Sequence, residues 1–240
     1  MTQGTAPARS PRILIVHYSR SGHTARLARL LADELVKRGA TVDCETLVAE
    51  REWNKWLLPL PLLPLLPLLP LYLLWPAFRR VWHRVYWQPQ QAIRPLRISD
   101  VAGYDQILLG TPKWLYIAYP VARWLATVQG LAGKPVAAFA TFCGPPLQVF
   151  EIEMLFQPLA ARLDRCGARL LGQLAVSSDF HPYFFYGEMR ALFRCLSRRC
   201  FGRPLKDFTL DGPLGAAAVA DFCAVLSAAW ASSGNLPDQG

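Results

Sequence analysis

The chain has 240 residues, 52% of them hydrophobic, with 26 basic and 17 acidic residues for a net charge of +9. That length suits one α/β domain with insertions and is short for two, and the apolar content excludes a disordered chain. Six cysteines without a Cys-x-x-Cys pair exclude a dithiol redox motif or a zinc ribbon, and fit small buried hydrophobes in a reducing compartment.

Residues 1–11 read as a flexible N-terminus, polar and without the apolar stretch of a signal peptide, which makes cytoplasmic the expected address. Ile13 to Val16 is a continuous apolar run, the mark of a strand covered on both faces. It breaks at once into Ser19-Arg20-Ser21-Gly22-His23-Thr24 and a helical pattern carrying Leu27, Leu31 and Leu35, with Gly39 placed to end it. Hydroxyls and a glycine at a helix N-terminus, where backbone N–H groups lack partners, suit a phosphate.

Thr41–Leu47 predicts a second strand. Tyr104–Thr111 predicts a third, followed by a helix from Pro120 to about Gln129. Pro135–Thr141 is a fourth strand, with a loop at Phe142-Cys143-Gly144 and a long helical pattern to Cys166; Glu151 and Glu153 mark its start. Arg169–Ser177 is a fifth strand, and a last helix sets Val219, Phe222, Leu226 and Trp230 on one face. Five strands alternating with helices predict a doubly wound parallel sheet, so that residues 12–240 make one domain.

Two connections exceed what a crossover needs, and both are basic. Residues 53–99 hold six bases and no acid, and a second insert at 180–212 holds six bases and no acid between Met189 and Lys206. Without those twelve bases the remaining 14 face 17 acids, so the excess positive charge belongs to the inserts. Leu57–Trp75 carries no charge over nineteen residues, but Pro61, Pro64, Pro67 and Pro70 recur every third position. Proline removes backbone donors from a helix, and its period of three matches polyproline II. That form leaves backbone groups unsatisfied in lipid, so a segment in the bilayer interface or over an apolar mouth is expected ahead of a transmembrane span at 57–75. Aromatics mixed with bases over 57–87, and Arg190, Arg194 and Arg198 stepping along a helix within 189–206, favour an anionic membrane surface over nucleic acid.

Ser19–Thr24 at the first strand–helix turn resembles the phosphate loop of flavodoxin-like proteins. Gly110-Thr111-Pro112-Lys113-Trp114-Leu115-Tyr116 resembles the flavin-ring loop of FMN-dependent quinone reductases, and Phe139–Gly144 their next ring-side loop. The resemblance covers residues 12–47 and 100–178 and the last helix, and omits 53–99. It implies a flavodoxin-like sheet in the order 2-1-3-4-5, the order and FMN position that define this fold class. It implies FMN as cofactor, with NAD(P)H a candidate electron donor and no metal. Ser19, Arg20, Ser21, Gly22, His23 and Thr24 would hold the phosphate. Thr111, Pro112, Lys113, Trp114, Leu115 and Tyr116 would flank the ring, Trp114 foremost, and Thr141, Phe142, Cys143 and Gly144 would offer backbone groups to its polar edge.

The function this implies is an FMN-dependent oxidoreductase at the membrane surface, acting on a lipophilic quinone-like or polycyclic substrate. The second insert, between strand five and the last helix, also resembles that of flavodoxin-like protoporphyrinogen oxidases in placement and composition, and a weaker likeness runs to flavodoxin-like proteins of dialkylresorcinol biosynthesis. A non-catalytic electron carrier and a flavin-free scaffold stay open as other classes, as does a homodimer.

Overall fold

The computed structural model describes residues 10–52, 62–85, 90–114, 116–178 and 187–233. Strand β1 (Arg12–Tyr18) leads into α1 (His23–Lys37), β2 (Thr41–Leu47), and two helices of the first insert, α2 (Leu62–Leu74) and α3 (Pro76–Val85). Then follow β3 (Gln106–Pro112), α4 (Tyr119–Thr127), β4 (Pro135–Cys143), a π-helical turn (Gln148–Glu153) and α5 (Met154–Arg165). The chain ends with β5 (Arg169–Ser178), α6 (Gly187–Phe201), a 3-10 turn (Leu205–Phe208) and α7 (Pro213–Ser233).

The five strands pair in parallel in the order β2-β1-β3-β4-β5, as expected. In register, Ile15 of β1 lies beside Cys44 of β2 and Leu108 of β3, which places β1 and β3 as neighbours where the order reverses. The apolar runs are continuous because both sheet faces are covered. Leu14, Val16 and Tyr18 pack on the side of α4 and α5, while Ile13 and Ile15 pack on the side of α1 and α7. Alternate residues of one strand thus serve two cores.

The last helix turns Phe222, Cys223 and Leu226 onto the sheet, with Val219 and Trp230 packed beside them. Its stretch Pro213–Trp230 has the length and hydropathy of a membrane span, but those buried residues make it the cover of β5. Among the described cysteines only Cys223 is buried; Cys44, Cys143, Cys195 and Cys200 are exposed, against expectation. They sit on an edge strand, at the last residue of β4 and on the outer side of α6, positions that composition does not reveal.

The first insert leaves and re-enters the domain through one short antiparallel contact. Ala49 bridges to Ile93, the Glu50 N–H donates to Ala92 O at 3.0 Å, and the Arg94 N–H donates to Val48 O at 2.8 Å. Within it, the expected polyproline II form is overturned: Leu62–Leu74 is an α-helix with Pro67 and Pro70 inside it. Both proline side chains are exposed, so the missing donors fall on the outer side, and leucine is a strong helix former. The carbonyls at its C-terminal end are collected by the Trp75 N–H on Leu71 O and by the Arg79 guanidinium on Leu73 O, both at 3.0 Å. Polyproline II would have left every backbone group to water. The segment 53–61 lies outside the described residues, as do 86–89 and 179–186.

Candidate functional site

The site residues gather at the C-terminal edge of β1, β3 and β4, where the turn after β1 meets the loops after its neighbours. Gly22 is the N-cap of α1 with φ 88°, a left-handed conformation that favours glycine, and its N–H donates to Ser19 Oγ at 3.1 Å. No side chain caps the helix, no acid lies in its first turn, and Arg20, Ser21 and Gly22 are exposed. The positive end of the helix dipole, two hydroxyls and a cation make a donor set suited to a phosphate dianion. The Thr24 hydroxyl is not part of that set. It is buried and hydrogen-bonded to the Thr141 hydroxyl at 2.8 Å, so it joins the phosphate turn to β4 from below.

The loop after β3 is braced from within. The buried Thr111 hydroxyl accepts the Ala118 N–H at 2.9 Å and donates to Pro112 O at 2.9 Å, which fixes the loop's two ends on one side chain. Thr111 therefore shapes the loop instead of facing a ligand. The Lys113 N–H donates to Thr141 O at 2.9 Å, while its ammonium pairs with Glu151 at 2.9 Å in nearly complete burial. Burial raises the Glu151 carboxyl above its ordinary pKa, and the Lys113 charge opposes that shift.

Trp114 is half-buried and stands edge-on to two rings, Tyr18 at 5.6 Å and Tyr119 at 5.4 Å between centroids. The Arg20 guanidinium lies 6.0 Å from the Trp114 ring centre, so the turn after β1 and the loop after β3 are in contact. Leu115 lies outside the described residues. Tyr116 faces inward, away from the other candidates: it packs with Tyr72 and Met154, and its hydroxyl accepts the Trp82 Nε1–H at 2.6 Å. Burial pushes its phenol up to about 12.

The loop after β4 is braced by β5. Ser178 Oγ donates to Phe142 O at 3.1 Å and Ser177 Oγ donates to Gly144 O at 2.6 Å, so two of the expected backbone acceptors are already engaged. Cys143 is exposed, whereas Phe142 and Gly144 are buried. Gly144 has φ 117°, and a Cβ there would come within 2.9 Å of the Phe193 ring on α6. Beneath the phosphate turn, His17 is buried between α1 and the sheet, and no described group bonds its Nδ1. Burial first, then the Arg29 charge, depress it to about 4, so it is neutral at pH 7.

Sequence reasoning missed Tyr18, Glu151, Phe193 and the Ser177–Ser178 pair as parts of this edge. The serines alone carried a local signal, two hydroxyls closing a strand. Among the described residues, no group of three or more His, Cys, Asp or Glu side chains could hold a metal ion.

No family model and no curated protein matches the sequence. Solved structures do resemble it. A Lactobacillus acidophilus flavoprotein in complex with FMN is 19% identical over 69% of this chain and 93% of its own, with a TM-score of 0.44. Oxidised flavodoxin 2 from Bacillus cereus is 15% identical over 92% and 99%, with a TM-score of 0.48. Two-electron reduced flavodoxin from Megasphaera elsdenii is 17% identical over 68% and 85%, with a TM-score of 0.40. Likenesses this distant carry no functional argument, and strand order decides the fold. It is flavodoxin-like. In that flavodoxin-like order the crevice lies at the carboxyl ends of β1 and β3, where the Ser19–Gly22 turn and the Lys113–Ala118 loop face each other.

Proposed function

We propose that this chain is an FMN-dependent oxidoreductase acting on a lipophilic, quinone-like or polycyclic substrate, with NAD(P)H or a quinone as the other redox partner. The observation that carries it is the uncapped α1 N-terminus beneath a Ser/Arg/Ser/Gly turn with Arg20, Ser21 and Gly22 exposed, located at the reversal of strand order. FMN ends in a monophosphate, which this donor set fits without a Gly-x-Gly-x-x-Gly loop.

When bound, FMN supplies hydride or electron transfer itself, which asks little acid–base machinery of the protein. Ser19, Ser21, Arg20 and the N–H groups at the start of α1 would hold the phosphate. Trp114, fixed between Tyr18 and Tyr119, would wall one side of the ring crevice. Thr111 and the Ser177–Ser178 pair hold their loops in place, so the crevice is formed in advance of binding. The partly exposed Trp114 suits contact with a flat apolar ring.

Purified protein is incubated with FMN, desalted, and its visible spectrum recorded; a retained, protein-shifted flavin spectrum is expected. Anaerobic mixing with NAD(P)H and a quinone then reads turnover. A colourless protein whose addition leaves FMN fluorescence unquenched overturns the reading, and a yellow protein that turns over with no direct donor makes it a carrier.

A further inference from the structure

The helices of the first insert are apolar on both sides: Tyr72, Phe78 and Trp82 pack against the domain, and a second apolar set faces out. Several polar groups also face the protein: His83 lies between the Tyr72 hydroxyl at 2.7 Å and Gln157 at 2.8 Å, Trp82 donates to Tyr116, and Arg79 pairs with Glu153 at 3.5 Å. The outward side is apolar as well. Leu74 is 84% exposed, Trp75 55% and Val81 56%, with Leu68 and Leu71 exposed beside them and Arg80 next to Val81. A water-facing helix is polar on that side.

The second insert shares this character and the same neighbourhood. Leu192 and Phe201 are exposed on α6 among the exposed Arg194, Arg198 and Arg199, while Phe193 turns in against Gly144. Of the eleven large apolar side chains exposed among the described residues, seven lie on the two inserts. The inserts are far apart in sequence, yet one rests on the loop after β3 and the other on the loop after β4.

We infer that the α2–α3 corner and α6 dock this protein on an anionic lipid bilayer, with the loops of the candidate site held between them. Exposed leucine and tryptophan supply the buried apolar area, and the exposed Arg80, Arg194, Arg198 and Arg199 supply attraction to head groups. Charge selects this occupant over a second copy of the chain, because a two-fold contact would set one predominantly basic face against another. The contact goes beyond the flavin reading and does not require it; together they deliver a lipid-dissolved substrate to the site edge.

The test is co-sedimentation of the full chain with phosphatidylglycerol-rich vesicles, against pure phosphatidylcholine vesicles and against high salt. Binding to the anionic vesicles that weakens in salt is expected. Leu74→Glu with Trp75→Glu, both exposed, should weaken it by about tenfold or more, and Arg194→Glu with Arg198→Glu should abolish the anionic preference. Circular dichroism and FMN quenching are read on each variant, so that loss of fold or of the flavin site is seen separately. Vesicle binding by a protein that takes no FMN leaves this inference standing and removes the flavin reading. Equal binding by wild type and the Leu74/Trp75 variant, no wild-type binding, or lipid-free self-association lost in that variant overturns the inference.

Discussion

Thr24, in the first turn of α1, and Thr141, near the end of β4, share one buried hydrogen bond of 2.8 Å across 117 residues of sequence. It ties the phosphate turn to the strand whose Thr141 carbonyl also accepts the Lys113 N–H. A residue expected to touch a phosphate with its hydroxyl uses that hydroxyl to fix the turn after β1 to the end of β4. Either Thr→Val change leaves the other hydroxyl buried without its partner, at a cost of about 1–3 kcal/mol. The double Val variant should cost less than the sum of the singles, with a coupling of about 1 kcal/mol. Urea denaturation of all four proteins measures this; strict additivity would show that the bond holds nothing together.

The Lys113–Glu151 pair predicts a larger effect. Two buried charges add little net stability over apolar residues, but one left alone is costly. Lys113→Met should destabilise by about 3–5 kcal/mol at neutral pH, and Lys113→Met with Glu151→Leu should recover most of that. The pH dependence follows from the carboxyl. Burial raises Glu151, and without Lys113 nothing opposes it, so the single variant regains stability as pH falls and Glu151 takes a proton, and loses it as pH rises. Thermal melts from pH 5 to about pH 8, the usual range of highest stability, compare the slopes of variant and wild type.

His17 acts in the opposite direction. Its folded pKa of about 4 lies below the ordinary value of about 6.5, so the unfolded chain binds the proton first. Stability is therefore full above pH 6.5 and declines as pH falls toward 4, by about 3 kcal/mol from this residue. His17→Leu, of similar volume and without a titrating ring, should flatten that part of the acid limb. Equal acid slopes in the two proteins would place the proton uptake elsewhere.

These relationships show what was legible in the sequence. The sheet was, because each strand is a local apolar run with a local turn after it, and two-sided burial writes itself as continuity in Ile13–Val16 and Ile107–Leu109. The turn after β1 was legible for the same reason: Ser19 to Thr24 are consecutive. Thr24–Thr141, Lys113–Glu151 and Trp82–Tyr116 were not, since each joins residues that only the folded sheet brings together. The proline-rich segment misled because its period describes the backbone alone. Helix α2 is stabilised by what lies against it, Arg79 on its last carbonyls and Tyr72 on His83, and that tertiary cover outweighs two missing donors.

The same cover gives the last prediction. The insert is fastened to the domain by Trp82 on Tyr116 and by His83 between Tyr72 and Gln157, a buried polar network with a small apolar cluster around it. Burial lowers the His83 pKa, against the Gln157 hydrogen bond, so the neutral ring is the fastened form. The unfastened ring takes up a proton more readily, and the fastening weakens as pH falls below the ordinary histidine range. Local opening then precedes global unfolding, because the sheet does not depend on these contacts. Limited trypsin digestion should cut at Arg79, Arg80 or Arg84 faster at mildly acidic pH than at neutral pH, after correction for the protease's own pH profile. Trp82→Phe should raise that cleavage at neutral pH by about fivefold, the equivalent of one lost hydrogen bond of about 1 kcal/mol, while leaving the main urea transition in place. Hydrogen exchange gives the independent reading: amides of 71–83 should lose protection in Trp82→Phe while those of β1 and β3 keep theirs. Loss of protection in all of them together would mean that the insert and the sheet open as one unit.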